Sequence, residues 1–223
     1  MEDQITTPDF KKIAAQLRKP EGADGIKVAE RMNVGNKSMN LHAIAVLDPQ
    51  ANETILEIGM GNGFFVKNIV CVGEHINYVG CDYSGDMVQL ASEINKDFIA
   101  QGQVNFVKAD IKDLPFDTAR FDKIITINTF YFWEDHVKVL YELKRVLKKE
   151  GELIIAVRPK HNLEKFPVTK YGFSIKSNDE IIELLRSNGF NSIESTAIME
   201  PLQEGFVAGH NERETLILSC KLE

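Results

Sequence analysis

Two patterns of apolar and polar positions follow one another along this chain. Short apolar runs of strand length occupy residues 53–58, 76–81, 104–108, 123–127 and 152–157. Between them, apolar residues recur every three to four positions, which is the period of one helix face. Strands that alternate with helices in this way predict a doubly wound, mainly parallel α/β sheet.

The first fifty residues are predicted to be helical. Thr7 is placed to cap a first helix, which stops before Pro20. Residues 22–25 are predicted to form a loop and residues 26–32 a second helix. Ser38 is placed to cap a third helix that runs to residue 47. This N-terminal part precedes the first strand of the alternating pattern.

Later elements follow the same two periods. Residues 84–100 and 134–149 are each predicted to form one helix, with apolar residues along one face. Ser177 and Glu180 have the spacing of a capping box, which predicts the start of another helix. Two further strands, at residues 192–199 and 215–221, complete the predicted sheet.

Composition narrows the class of protein. The chain has 223 residues, of which 43% are hydrophobic, and this suits one soluble domain. A net charge of -7 without a basic arm disfavours a nucleic-acid partner. No apolar run approaches the roughly 18 residues of a membrane span, and the polar N-terminus lacks the apolar segment of a secretory signal. Three cysteines without CxxC spacing indicate reduced thiols in a cytoplasmic protein, and no metal site is predicted. The sequence leaves open whether the protein forms a homodimer.

The most informative pattern is ILEIGMGNG at residues 55–63. Glu57 lies near the end of an apolar strand, and Gly59, Gly61 and Gly63 follow at alternate positions. Glycine adopts positive φ and has no Cβ, so the chain can turn sharply and a ligand can lie against the backbone. The Glu57 carboxylate lies among apolar residues and needs donors, either from a ligand or from the glycine amides. The pattern predicts a nucleoside-sized ligand, with a purely structural turn as the alternative.

A second strand ends in Asp82, about twenty residues beyond the glycine turn, where nucleotide-binding α/β units carry a ribose-binding carboxylate. One carboxylate can accept hydrogen bonds from both ribose hydroxyls. Capping of the next helix is the alternative role for Asp82. A nicotinamide-dependent dehydrogenase would share these features, but its Gly-x-Gly-x-x-Gly fingerprint requires glycine where this chain has Phe64. The early third glycine therefore disfavours a dinucleotide.

Four further blocks extend the pattern towards the C-terminus. They are VGCDYS at 79–84, VKADIKDLPF at 107–116, FDKIITINTFYFWED at 121–135 and LKRVLKKEGELIIAV at 143–157. In this order and spacing, and with the glycine turn, they resemble the class I S-adenosylmethionine-dependent methyltransferases. The closest subgroup resembles the ubiquinone/menaquinone-biosynthesis methyltransferases, which act mostly on small molecules. The resemblance implies a Rossmann-like sheet of seven strands, the seventh antiparallel to the rest.

The resemblance also implies a cofactor, S-adenosyl-L-methionine, with S-adenosyl-L-homocysteine as its product. Glu57 and Asn128 are then expected at the methionine part and Asp82 at the ribose. In such enzymes an acidic residue after the third strand, here Asp110, accepts from the adenine amino group. The backbone N–H of the next residue, Ile111, meets a ring nitrogen. For Asp110 a plain turn role is the alternative.

Two more side chains are expected beside the adenine, Tyr83 and Met87. Met87 alone equally fits a core position. A helical N-terminus folds over the cofactor in related chains, and Met32, Asn33 and Ser38 are candidates for contact with it. The implied division is an N-terminal helical extension at residues 1–50, packing over the cofactor, and a methyltransferase domain at residues 51–223.

The acceptor side is less defined by the sequence. The aromatic run at residues 130–133 fits either the core or the wall of a pocket for a flat acceptor. If alternate members face the site, the wall is predicted to be Tyr131 with Trp133, or Phe130 with Phe132. The segment at residues 158–176 is the other candidate for part of this pocket. A general base is optional in a direct methyl displacement. Its weak candidates are His42, Tyr131, His136 and Tyr171.

The sequence thus predicts a methyltransferase that moves a methyl group to a small-molecule acceptor by in-line displacement. Two alternatives stay open. One is a protein that binds the cofactor but is catalytically silent, acting as a regulator or partner subunit. The other is the nicotinamide-dependent dehydrogenase, against which Phe64 and the later blocks count.

Overall fold

A single seven-stranded sheet forms the centre of the computed structural model, which describes residues 8–200 and 213–222. The strands are β1 (Thr54–Ile58), β2 (Asn77–Asp82), β3 (Val104–Lys108), β4 (Phe121–Ile127), β5 (Leu147–Val157), β6 (Glu194–Glu200) and β7 (Arg213–Lys221). Their order is β3-β2-β1-β4-β5-β7-β6. Strands β1 to β5 pair in parallel, and β7 is antiparallel to both of its neighbours. The predicted mainly parallel sheet with an antiparallel seventh strand is confirmed.

Helices cover both faces of the sheet. They are α1 (Phe10–Arg18), α2 (Gly22–Gly35), α3 (Lys37–Leu47), α4 (Val66–Val70), α5 (Gly85–Ile94), α6 (Lys96–Ala100), α7 (His136–Val146), α8 (Lys160–Leu163) and α9 (Asn178–Ser187). Two short 3-10 helices lie at Phe130–Phe132 and Pro167–Lys170. None of the helices in the described part of the chain has both the length and the apolar character needed to cross a membrane.

Alternate residues of the strands feed two separate cores, because successive side chains of a strand point to opposite faces. On β1, Leu56 joins the core under α7 and α9, whereas Ile55 joins the core under α3 and α4. On β5, Ile155 and Ile154 divide in the same way. All four side chains are fully buried. The near-continuous apolar runs of the sequence are thus explained by burial on both faces.

Several predicted boundaries are wrong. Residues 22–25 belong to α2, because the Gly25 amide bonds the Glu21 carbonyl at 3.1 Å. The helix predicted over residues 84–100 breaks at Asn95, whose side-chain amide donates to the Gly63 carbonyl at 3.0 Å. The helix predicted to run to residue 149 ends at Val146, and the next residues already form β5.

Of the predicted helix caps that the structure describes, one is wrong and one is confirmed. Thr7, the predicted first cap, lies outside the described residues, and Asp9 is the cap of α1 through a 3.0 Å bond from the Lys12 amide. Ser38 lies inside α3, which follows α2 after Asn36 alone. The capping box at Ser177 is confirmed.

The parallel strands all end at one edge of the sheet, called the carboxyl edge below. Neighbours along this edge are the ends of β3, β2, β1, β4 and β5. Because β7 runs the other way, its first residues lie beside the end of β5, where Val157 pairs with Leu216. Ligands of open α/β sheets bind along such an edge, outside the strand ends.

Candidate functional site

A cavity of about 180 Å³, called the first cavity, lies outside the ends of β3, β2, β1 and β4. Most of the residues predicted to bind the cofactor line it. They are Gly59, Gly61, Asp82, Tyr83, Asp110, Ile111 and Asn128. Glu57, Gly63 and Met87 do not belong to its lining. Residues that the sequence places far apart therefore share one wall.

The glycine turn forms the floor of the first cavity. Gly59 and Gly61 have φ of 72° and 57°, in the left-handed region that favours glycine. A Cβ on Gly59 would come within 2.4 Å of the Thr129 methyl carbon, so a side chain cannot fit there. A Cβ on Gly61 would meet no atom within 4 Å, because that side of the backbone is open. A ligand can therefore approach the Gly61 backbone directly.

Asp82 is nearly buried, with 9% of its surface exposed. One carboxylate oxygen accepts from the Gly61 amide at 3.1 Å, and the other accepts from the Ser84 amide at 2.8 Å. Burial raises the pKa of Asp82 to about 6, although the backbone donors oppose this shift. The capping side chain of α5 is Ser84, which accepts from the Met87 amide at 3.3 Å. Asp82 therefore joins the glycine turn to the end of β2.

Glu57 lies beneath the turn, with 6% of its surface exposed. Its Oε2 accepts from the Tyr78 hydroxyl at 2.6 Å. Among the described residues, Oε1 has no hydrogen-bond donor within reach. Burial raises the pKa of Glu57 to about 7, partly opposed by the Tyr78 bond. A buried carboxylate with an unused acceptor atom requires a cationic or donor partner to stay ionised.

Gly63 and Met87 have packing roles in this structure. A Cβ on Gly63 would come within 2.9 Å of the Ala91 Cβ, so this glycine lets α5 approach the turn. Met87 has none of its surface exposed. The core position that the sequence allowed for Met87 is the one observed, and its predicted contact with the cofactor stays a prediction.

Asn128 follows β4 in a conformation that the sequence did not reveal. Its φ is 58°, which is uncommon for a residue with a side chain. The Asn128 amide donates to the Ala156 carbonyl at 2.9 Å, and its Oδ1 accepts from the Tyr131 hydroxyl at 2.6 Å. Tyr131 in turn stacks on Phe173, with 5.2 Å between ring centroids. These contacts hold Asn128 at the cavity wall. Strain of this kind concentrates at functional sites.

The aromatic run divides between core and wall, but not by alternation. Phe130 and Tyr131 are buried and do not line the first cavity, Phe132 lines it, and Trp133 is buried in the core but also contributes to the lining. The prediction of alternate members was wrong because the run forms a 3-10 helix rather than a strand. Trp133 is fixed by a 3.2 Å bond from its indole N–H to the Thr129 hydroxyl.

The corner between α1 and α2 closes the first cavity from above. Leu17, Arg18, Pro20 and Met32 contribute to the lining. The Pro20 carbonyl accepts from the Ser84 hydroxyl, and the Gly22 amide donates to Asp86 at 2.7 Å.

An ion-pair chain crosses the same opening. Arg18 pairs with Glu134, Glu134 pairs with Lys112 at 3.1 Å, and Lys112 lies 3.7 Å from Asp110. Of the three N-terminal candidates, Met32 lines the cavity, whereas Asn33 and Ser38 do not.

A second cavity of about 700 Å³ continues along the carboxyl edge towards the end of β5. Leu17 and Met32 line both cavities, so the two adjoin. The segment at 158–176, predicted to build part of an acceptor pocket, contributes Arg158, Asn162 and Phe166 to its wall, with Lys165 between them. The contribution of α2 to this wall was not predicted.

None of the four candidate bases lines either cavity. His42 is exposed on α3, and Tyr171 is 44% exposed. Burial lowers the pKa of His136, whose Nε2 lies 3.1 Å from the Phe130 carbonyl oxygen. Burial raises the pKa of Tyr131 well above its ordinary value. Within residues 8–200 and 213–222, no cluster of His, Cys, Asp or Glu could hold a metal ion.

Known proteins match the part of the chain that builds this edge. A family model described as a methyltransferase domain matches residues 56–155. An uncharacterized methyltransferase of Bacillus subtilis, YdaC, is 27% identical over 129 residues, which cover 58% of this chain and 69% of the relative. A demethylmenaquinone methyltransferase of Thermotoga maritima is 29% identical over 140 residues, which cover 63% of this chain and 58% of the relative.

The fold matches solved structures over almost its whole length. A putative methyltransferase, solved in complex with the Haloferax volcanii Trm112 methyltransferase activator, superposes with a TM-score of 0.76 at 21% identity. The superposition covers 97% of this chain and 99% of the other. A match at 21% identity supports the fold alone.

Proposed function

We propose that this chain, which belongs to the S-adenosylmethionine-dependent methyltransferases, transfers a methyl group to a small molecule bound in the second cavity. The single observation that carries the proposal is the shared wall of the first cavity, where the bare Gly61 backbone, Asp82 and Asn128 meet. The adjoining second cavity gives an acceptor direct access to a ligand in the first.

The residues of the first cavity fit the cofactor. Asp82 uses one acceptor position on each oxygen for a backbone amide, and a carboxylate has about four such positions, so both ribose hydroxyls can still bind. Glu57 lies outside the lining in this structure, but its unused Oε1 suits the ammonium group of the methionine part once the site opens for the cofactor. Asp110 and Ile111 stand at the end of β3, on the side where we expect the adenine.

The volume of the first cavity indicates a movement. Ligand sites usually measure roughly 300–1,000 Å³, whereas this cavity measures about 180 Å³. We therefore expect the corner between α1 and α2 to move outward when the cofactor enters. The exposed ion pairs that hold this corner, such as Arg18 with Glu134, cost little to break.

When bound, S-adenosylmethionine supplies a methyl group made electrophilic by its sulfonium charge. The chain's own contribution is to hold the acceptor atom in line with that methyl carbon at near-attack distance. Apolar residues at the junction, Leu17 and Met32, exclude water from the path. An acceptor that reacts through an O–H or N–H group must also lose its proton. None of the four predicted bases lines either cavity, so this proton leaves to solvent or to another base.

Small-molecule acceptors are supported by the activities for which relatives are named, which include the demethylmenaquinone methyltransferase and an O-methyltransferase, resE, of Aspergillus sclerotiorum. The N-terminal extension at residues 1–50 and the domain at 51–223 stay our proposed division, since α1 and α2 wall both cavities. The three unpaired cysteines suit a reducing compartment such as the cytoplasm.

The experiment is a mass-spectrometric screen of small-molecule acceptors with methyl-labelled S-adenosylmethionine. We expect one labelled methyl group on an acceptor for each S-adenosylhomocysteine formed. Calorimetry beforehand should show S-adenosylhomocysteine binding and no NAD binding. Tight NAD binding would support the dehydrogenase instead, and cofactor binding without turnover across a broad panel would support the silent alternative.

A further inference from the structure

The second cavity combines an apolar wall with a concentration of positive charge. Six apolar side chains contribute to its lining: Ile13, Leu17, Val28, Met32, Val34 and Phe166. Within residues 8–200 and 213–222, four cationic residues line it as well, namely Arg31, Arg158, Lys165 and Arg213, against one carboxylate, Glu30. This balance is opposite to that of the whole chain, whose net charge is -7.

The deep end of the cavity is fixed by a buried ion pair. Arg158 is 11% exposed, and its guanidinium pairs with Glu200, of which 1% is exposed. Glu200 also accepts from the Thr215 hydroxyl, and Arg158 lies 3.5 Å from the Asn36 side-chain oxygen. The pair therefore holds the guanidinium plane at the ends of β5 and β7 rather than leaving it mobile.

A second guanidinium lies close to the first. Arg213 donates to the Gly35 carbonyl at 3.2 Å. Burial and, to a lesser degree, the neighbouring charge of Arg158 lower the pKa of Arg213, whereas the charge of Glu200 opposes this shift. Arg31 and Lys165 stand at the same cavity. An anionic group bound at this cavity would be attracted by these cations, because opposite charges in a partly dry site interact strongly.

We propose that the acceptor is an amphipathic anion, with an apolar body against the α1–α2 wall and a carboxylate, sulfonate or phosphate group among Arg31, Lys165 and the paired arginines. This inference rests on the proposed function, which it deepens by naming the substrate class. The anionic group marks the end of the acceptor that points away from the first cavity, and the methyl-accepting atom lies at the Leu17–Met32 junction.

The test uses two fluorescent probes with the same aromatic body. One is 8-anilinonaphthalene-1-sulfonate, which carries an anion, and the other is N-phenyl-1-naphthylamine, which does not. Both are titrated into the full chain with and without S-adenosylhomocysteine. We expect the sulfonate to bind at least about tenfold more tightly, since it adds a charge-assisted hydrogen bond that the neutral probe cannot make.

Variants assign the binding to this cavity. The double variant Arg31→Gln, Lys165→Gln should weaken sulfonate binding about tenfold and leave the neutral probe unchanged. A matched control, Lys96→Gln with Lys149→Gln, removes the same charge at exposed positions outside both cavities. Ile13→Trp places a large ring in the cavity from a 38% exposed position and should weaken both probes.

Two results would overturn the inference. One is equal affinity for the two probes. The other is sulfonate binding whose affinity is unchanged by the Arg31 and Lys165 substitutions or by Ile13→Trp. These results are separable from failure of the proposed function, because loss of S-adenosylhomocysteine binding is measured on its own by calorimetry and does not enter the comparison of probes.

Discussion

The two cavities along the carboxyl edge are built in different ways. The floor of the first is made by backbone turns directly after strands β1, β2, β3 and β4, and side chains of α1, α2 and the aromatic run complete its walls. The second is made by side chains of α1, α2, α8 and β7, which lie far apart in the chain. A cavity made by backbone is readable from local sequence, whereas one made by distant side chains is not. This contrast agrees with a first cavity that binds the same cofactor in all relatives and a second cavity whose acceptor differs between them.

The largest expected effect concerns the boundary between core and cavity wall. Phe130→Ala should destabilise the protein by about 3–5 kcal/mol, because it empties a fully packed site. Phe130 is 2% exposed and lies outside both cavities. The matched variant Phe132→Ala removes the same ring from the wall of the first cavity. It should cost less stability and should weaken ligand binding. Thermal unfolding and calorimetry distinguish them, and equal losses of stability would place the whole run in the core.

The next effect tests whether backbone shapes the first cavity. Gly61→Val puts a side chain into the open space above the turn and should weaken S-adenosylhomocysteine at least about 100-fold, or roughly 2.7 kcal/mol. Gly102→Val is the matched control, because Gly102 has φ of 74° and a Cβ there would also meet nothing within 4 Å. Both variants carry the same backbone strain, but only the first should lose the ligand. If Gly61→Val kept the wild-type affinity, the ligand would not touch the turn.

Asp82 should show a smaller loss. Asp82→Ala removes a carboxylate placed for the ribose and should weaken S-adenosylhomocysteine at least about tenfold. The exposed Asp97→Ala on α6 serves as the control for the change of charge. The fold should survive, as the melting temperature will show. Unchanged affinity would leave Asp82 only its structural bonds to the Gly61 and Ser84 amides.

The smallest effect concerns the buried charge of Glu57. Its folded-state pKa of about 7 lies above its ordinary value of 4.5. The folded state therefore binds more protons than the unfolded state between these values, and stability falls as the pH rises through this window. Glu57→Gln should raise the melting temperature at pH 8 by about 2–4 °C if it recovers about 1 kcal/mol, and should change little at pH 4. The prediction is contradicted if the stability of the wild-type protein changes between pH 4.5 and 7 in the same way as the stability of the variant.

Local sequence was sufficient where one segment makes both an element and its site. The strand ending before Gly59 and the strand ending in Asp82 were predicted to within about one residue, because their apolar runs and turn residues are adjacent. The break at Asn95 could not be predicted in this way, since it depends on a bond to Gly63, which lies 32 positions away. The left-handed Asn128 depends likewise on its neighbours in the folded chain.

The acceptor side shows the same limit. The segment at 158–176 was a candidate because of its position after β5, but its partners in the wall come from α2 and from Arg213 at the start of β7. No periodic pattern joins these segments, and only the sheet order brings their ends together. Charge composition was misleading here, because an acidic chain holds a cavity whose charged lining residues, among those that the structure describes, are mostly cations.

The most direct test of the central claim is a crystal structure of the chain with S-adenosylhomocysteine. The account predicts the nucleoside against the Gly59–Gly61 backbone, with ribose oxygens at about 2.7–3.2 Å from Asp82. It also predicts an outward shift of the α1–α2 corner, which enlarges the first cavity beyond its present 180 Å³. A ligand bound elsewhere, or one at the turn without contact to Asp82, would contradict the account.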